Sequence, residues 1–276
     1  VSFTDNNGKK HRRGYKPKNI NDLKKLLERM IKMRGDEGDF NDIDTSDIVS
    51  MESLFEYNKK FNGDITGWNI SSVRNMRNMF SYAESFNQPI GNWKFPNVID
   101  MSGMFYYAKS FNQDISKWKF PNVIYMNRMF YGAKSFNQPI GDWKFPNVTD
   151  MHHMFAYATS FNQDISKWKF PNVTDMNNMF YGASSFNQPI GNWKFPSVTN
   201  MDSMFRGAKS FNQDISKWEF PNVERMKCMF CEASSFNQDI SKWKFPKVTD
   251  MSYMFSDATS FNQPIGNWEF PKVENM

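Results

Sequence analysis

Residues 173–193 read VTDMNNMFYGASSFNQPIGNW, and the same marker residues return 25 positions earlier and 25 positions later. Trp stands at 68, 93, 118, 143, 168, 193, 218, 243 and 268, which accounts for all nine Trp of the chain. Phe61 to Phe261, Asn62 to Asn262, Ile65 to Ile265, Val73 to Val273 and Met51 to Met276 keep the same step, with no insertion or deletion. An unbroken period of this length marks a repeat architecture, in which each segment buries its apolar residues only against its neighbours. The fold expected is therefore a repeat solenoid.

Residues 90–111 show what each position of a repeat does. Ile90, Trp93, Phe95 and Val98 follow at spacings of three, two and three, like the strand segment of a leucine-rich repeat. Trp93 and Phe95, two apart, are expected to point inward from a short parallel strand, with Lys94 outward between them. Pro96, which lacks an N–H, ends the strand. Met101, Met104, Phe105 and Ala108 fall at i, i+3, i+4 and i+7, which predicts a short helical turn. Asn62 and its equivalents are expected to form a ladder that satisfies turn backbone in adjacent coils. After each Gln the repeats alternate between Pro-Ile-Gly (from Pro89, Pro139, Pro189) and Asp-Ile-Ser (from Asp114, Asp164, Asp214), until Asp239 breaks the order. This points to two interchangeable turns.

Ahead of the repeats, residues 1–18 are polar and basic, with Lys9, Lys10, Arg12, Arg13, Lys16 and Lys18. They read as a solvated, flexible tail. Residues 19–50 read as an N-terminal cap. In residues 20–34, Ile20, Leu23, Leu26, Leu27, Met30 and Ile31 share one helical face, with Asn19 or Asn21 to start the helix and Gly35 to end it. A degenerate half-repeat follows, Phe40, Ile43, Thr45, Ile48 and Met51. Residues 51–276 hold nine repeats. Nothing comparable to the cap follows them, so the chain is expected either to continue beyond Met276 or to offer an open edge on which another molecule can stack.

The stretch from Val173 to Trp193, with the lead-ins YKPKNINDLKKL (residues 15–26) and GDFNDIDTS (residues 38–46), resembles the BspA-like leucine-rich-repeat surface proteins of mycoplasma type. The resemblance covers about residues 15–276. It implies a right-handed solenoid, a location at the cell surface or outside the cell, and a role in adhesion or protein binding. That family has no catalytic motif to carry over.

The residues themselves point away from catalysis. The three His are His11, His152 and His153, and an adjacent pair makes a poor metal site. Cys228 and Cys231 form a lone C-x-x-C, without the second pair that zinc requires, and read as free thiols. No cofactor or metal is expected. No apolar run is long enough to span a membrane. A net charge of +5 suits acidic partners but does not call for nucleic acid. The expected partner is a protein or an acidic surface polymer, including that of a host cell.

Two columns are candidate binding sites. The first is the outward column of the Trp segment, Lys94, Lys119, Lys144, Lys169, Lys194 and Lys244, flanked by Lys117 and Lys167 and interrupted by Glu219. It is expected as a basic stripe on a concave face. The second is the variable pair inside Met-x-x-Met, which differs while the frame stays constant and is expected to be exposed; it includes Arg128, His152, His153 and Tyr253.

Overall fold

The computed structural model describes residues 2–11 and 14–276. Arg12 and Arg13 of the basic segment lie outside the described residues. Three regular elements precede the repeats: β1 (Phe3–Thr4), β2 (Lys10–His11) and α1 (Ile20–Arg34). The helix starts at Asn19, whose side chain accepts the N–H groups of Asn21 and Asp22, and stops at Gly35, whose φ of 80° carries its N–H back to the Ile31 carbonyl. Leu23, Leu26, Leu27 and Met30 are buried against the first repeats.

In the segment read as a flexible tail, the described residues 2–11 are instead folded. β1 and β2 pair antiparallel. Asp5 and His11 are both buried, and their side chains meet at 2.8 Å. Burial alone would raise the Asp5 pKa, but the His11 hydrogen bond and the N–H groups of Lys9 and Asn7 outweigh it and hold the carboxyl below its usual range. The hairpin docks on the first repeat through the Asn6 N–H on the Gly67 carbonyl and the Asn6 side chain on the Trp68 carbonyl, both at 2.8 Å. These two bonds, absent from any sequence pattern, tie the hairpin to the first repeat.

Successive repeats are joined by isolated parallel bridges at one position each, Ser50 to Asn75, Asn75 to Asp100, and so on to Asp250 with Asn275. Around each bridge the N–H groups divide by parity. Those of Met76, Asn78, Phe80 and Tyr82 donate to the next repeat, at Asp100, Ser102, Met104 and Tyr106 (2.7–2.9 Å). Those of Met79, Ser81 and Ala83 turn back to Met76, Asn78 and Phe80 (3.0–3.2 Å). The segment expected to be a helical turn is therefore a run of tight turns. Positive φ at Asn78 (53°) and Tyr82 (55°), and at matching positions in other repeats, suits type II turns and is incompatible with a right-handed helix. The spacing of Met101, Met104, Phe105 and Ala108 was informative about burial, since all four are buried, but two backbone conformations share it.

The Trp segment also departs from expectation. Trp93 and Phe95 point inward and Lys94 outward, yet they form no paired strand. The Trp93 N–H closes a turn on the Ile90 carbonyl at 3.1 Å, and Pro96 has no N–H to offer. The columns here are held by rings. Trp143, Trp168 and Trp193 stack at 6.4 Å and within 2° of parallel, and each Phe meets the next Trp edge-on, as Phe145 meets Trp168 at 4.8 Å. Such aromatic burial is the main stabilising term, about 1.5–3 kcal/mol for each large side chain.

The Asn ladder forms along the array. The Asn87 N–H donates to Asn62 Oδ1 at 2.9 Å and Gln88 Nε2 to the Asn62 carbonyl at 2.8 Å, and equivalent bonds recur as far as Asn262. The alternation of Pro-Ile-Gly and Asp-Ile-Ser has a local steric side. A Cβ on Gly91 would stand 2.2 Å from the Asp114 carbonyl oxygen, and Gly191 is equally close to Asp214 at 2.3 Å. In the other turn Asp114 accepts the Ser116 N–H at 2.9 Å. Ser216 precedes Asp239 without a glycine, so this fit is local and not a rule of the frame.

Candidate binding surface

Lys94, Lys117, Lys119, Lys144, Lys167, Lys169, Lys194 and Lys244 are all exposed. They stand over buried Trp and Phe rings, so their heads project while their stems cover the rim of the aromatic stack. Among the described residues only two of the eight make ion pairs, Lys194 with Glu219 at 3.8 Å and Lys167 with Asp142 at 3.0 Å. The other six carry unpaired charge. The bridges between repeats run through Asn75, Asp100 and their equivalents and not through the lysine column, so the reason for placing the stripe on a concave strand face falls away. Ring spacing agrees: the Trp column beneath the lysines repeats at 6.4 Å, against 5.6 Å for Phe80 and Phe105 nearer the bridges. The stripe rides on the more widely spaced side.

The variable slots divide. Arg128 and Tyr253 are exposed, but His152 and His153 are half-buried, because tight turns orient the pair differently from a helix. His152 Nδ1 lies 2.6 Å from Asp150. His153 Nδ1 is shielded and has no partner. Burial, then the neighbouring His152 and Arg128, push the His153 pKa down to about 4 against the opposing pull of Asp150; the Tyr131 ring packs 5.9 Å away. The folded state thus resists a proton that the unfolded chain accepts near 6.5, so stability falls as pH drops from about 6.5 to about 4. His153→Asn, the residue found at the equivalent Asn178, is expected to flatten that part of a melting-temperature profile. An unchanged profile would show that His153 is not the group responsible.

A further surface was not foreseen. Tyrosines from two adjacent columns form a continuous ribbon: Tyr57 on Tyr82 (4.9 Å), Tyr82 on Tyr107 (5.1 Å), Tyr107 on Tyr131 (5.4 Å), Tyr131 on Tyr157 (5.5 Å) and Tyr157 on Tyr181 (4.7 Å). The Arg206 guanidinium closes it over Tyr181 at 5.4 Å and pairs with Glu232 at 2.9 Å. Burial first, then the hydrogen bond with Tyr181, push the Tyr157 pKa up to about 12, which keeps the phenol neutral. Gly132 seats the ribbon. It has φ 65°, and a Cβ there would come 2.7 Å from the Tyr107 ring. Gly132→Ala is expected to destabilise by about 1–2 kcal/mol in urea unfolding; a neutral change would mean that the ring moves freely. Reading the two positions between Phe and Ala down all the repeats would have revealed the ribbon.

Cys228 and Cys231 are free and buried. Burial raises the Cys231 pKa, as does Cys228 beside it, which disfavours the thiolate. Among the described residues no group of three or more His, Cys, Asp or Glu side chains could hold a metal ion, and no helix is long and apolar enough to cross a membrane.

A family described as "Mycoplasma protein of unknown function, DUF285" matches residues 21–143, 112–208 and 189–276, three overlapping stretches that together run from the helix to the end of the chain. No curated protein and no solved structure matches.

Proposed function

The chain belongs to the mycoplasma repeat family of unknown function DUF285, and from that premise we propose that it is a non-enzymatic, surface-displayed binding protein whose stacked repeats hold out a cationic stripe to an acidic partner. The observation that carries this reading is the lysine column. Six exposed ammonium groups, five of the column and the flanking Lys117, have no ion-pair partner among the described residues; they repel one another and do nothing evident for the fold. Their repeat favours a partner with many negative charges along one chain, where each contact raises the effective concentration for the next. An acidic surface polymer, or an acidic protein on a host cell, fits that description. The resemblance to BspA-like leucine-rich-repeat proteins supports the cell surface as location, adhesion as role and a right-handed solenoid as the form of the stack.

The test is binding to immobilised heparin and polyglutamate across a salt series. A variant with Lys119, Lys144, Lys169 and Lys244 changed to Glu is expected to lose nearly all binding. The wild-type affinity should fall steeply and log-linearly with salt, as ion release requires. Binding that ignores both salt and the charge reversal would refute the reading.

A further inference from the structure

The aromatic stack has one irregular place, and a cavity lies there. Eight of the nine indole N–H groups donate to the carbonyl 28 residues earlier at 3.0–3.2 Å, as Trp68 does to Phe40 and Trp118 to Ile90. Trp93 is the exception. Its Nε1 is shielded from solvent and has no partner among the described residues. Among the described residues, the parallel Trp stack runs from Trp118 to Trp268 and omits Trp93. A second irregularity lies one repeat back. From Phe95 onward each Phe of this column meets the next Trp edge-on, as Phe95 meets Trp118 at 4.7 Å, but the residue in front of Trp93 is Ile70. Trp68, behind Thr45, also lacks an aromatic edge yet keeps its bond to Phe40, so the missing edge alone does not explain Trp93.

A cavity of about 600 Å3 opens at this place, lined by Trp93, Lys94, Lys117, Lys119, Asn69 and Asn6 of the hairpin, among others. Among the described residues its lining carries three ammonium groups and no carboxylate. The neighbouring cavity around Trp118 is nearly the same size, about 590 Å3, but includes Asp142. The first cavity therefore differs from its neighbour in the feature that matters for an anion, uncompensated positive charge.

We propose that the cavity at Trp93 is an anchoring subsite for an acidic sugar of the polymer bound by the stripe. This rests on the acidic-partner reading above and narrows it. Lys94, Lys117 and Lys119 take the carboxylate or sulfate. Asn6, Asn69 and Asn92 with Ser71 supply amide and hydroxyl groups for sugar hydroxyls, and Pro96 and Pro121 offer apolar surface to the C–H face of the ring. This neutral polar fringe favours a glycan over an acidic peptide, which needs only cations.

The test is calorimetric titration with four probes: a heparin tetrasaccharide, a hyaluronan tetrasaccharide, neutral chitotetraose and tetraglutamate. At least one acidic tetrasaccharide should bind once per chain, and which one binds distinguishes sulfate from carboxylate recognition. Lys94→Ala with Lys119→Ala should weaken it about tenfold or more. Lys25→Ala with Lys32→Ala, on the helix and outside both the stripe and the cavity, should leave it unchanged. Because the Trp93 N–H has no partner among the described residues, Trp93→Phe should lower the melting temperature less than Trp168→Phe, which loses its bond to Ile140 as well as ring volume. Tetrasaccharide binding that is unaffected by the Lys94/Lys119 variant, or tighter binding of tetraglutamate or chitotetraose, overturns the proposal. If long heparin still binds and responds to charge reversal at Lys144, Lys169 and Lys244 while no tetrasaccharide binds, the stripe stands and the subsite falls. If no acidic chain binds at all, both fall.

Discussion

Trp168→Ala is expected to lower the unfolding free energy by about 3–5 kcal/mol, while Lys169→Ala, one residue along, changes it by less than about 0.5 kcal/mol. Trp168 is 2% exposed. Its ring lies between Trp143 and Trp193 at 6.4 Å on either side and takes the Phe145 edge at 4.8 Å. Its N–H reaches the Ile140 carbonyl at 3.0 Å. Alanine removes the stacking on both sides, opens a void that the neighbours cannot fill and takes away one of the two donors to the Ile140 carbonyl, which keeps the Trp143 N–H at 3.1 Å. The Lys169 side chain projects into solvent, and its loss removes little besides charge. The damage also falls mid-array. Where each repeat is supported only by the next, a weakened central interface is expected to split one cooperative transition into two. Guanidinium unfolding followed by circular dichroism measures both effects. A Lys169 effect as large as that of Trp168 would invert the assignment of inside and outside.

The second large effect belongs to the Asn ladder. Asn137→Ala is expected to destabilise by about 1–3 kcal/mol. The Asn137 side-chain oxygen accepts the Asn162 N–H at 2.9 Å and Gln163 Nε2 at 3.0 Å, and alanine leaves the partly buried N–H without an acceptor. Asn137→Asp keeps the oxygen and should retain most of the stability, which separates lost hydrogen bonds from lost bulk. Hydrogen exchange at the Asn162 amide gives a local reading: it should speed up in the alanine variant and not in the aspartate one. If both variants melt with the wild type, the ladder is a consequence of the stack and not one of its supports.

The lysine column was legible as outward-facing because Lys94 sits between Trp93 and Phe95, and a residue between two inward neighbours must face away. Its setting was not legible, since alternation of side chains says nothing about whether the backbone pairs. Ile70 in a column of Phe is written in the sequence, but the unpartnered N–H of Trp93 was not, because an indole's partner depends on where its ring lies. The hairpin was invisible for another reason: the Asp5 and His11 pair and the contacts of Asn6 are single events, with no periodicity to announce them.

By itself, the sequence determined which side chains are buried. A strict 25-residue period brings every column against copies of itself, so Phe, Trp, Met and Val columns must share a core whatever the backbone does between them. Only the tertiary structure decided how the backbone meets its hydrogen-bonding needs. Spacings of three and four are equally compatible with a helical turn and with consecutive tight turns. What separates them is the positive φ at Asn78 and Tyr82, which frees every second N–H to reach the next repeat. Burial follows from composition and spacing along the chain; the partner of an N–H depends on which segment lies beside it.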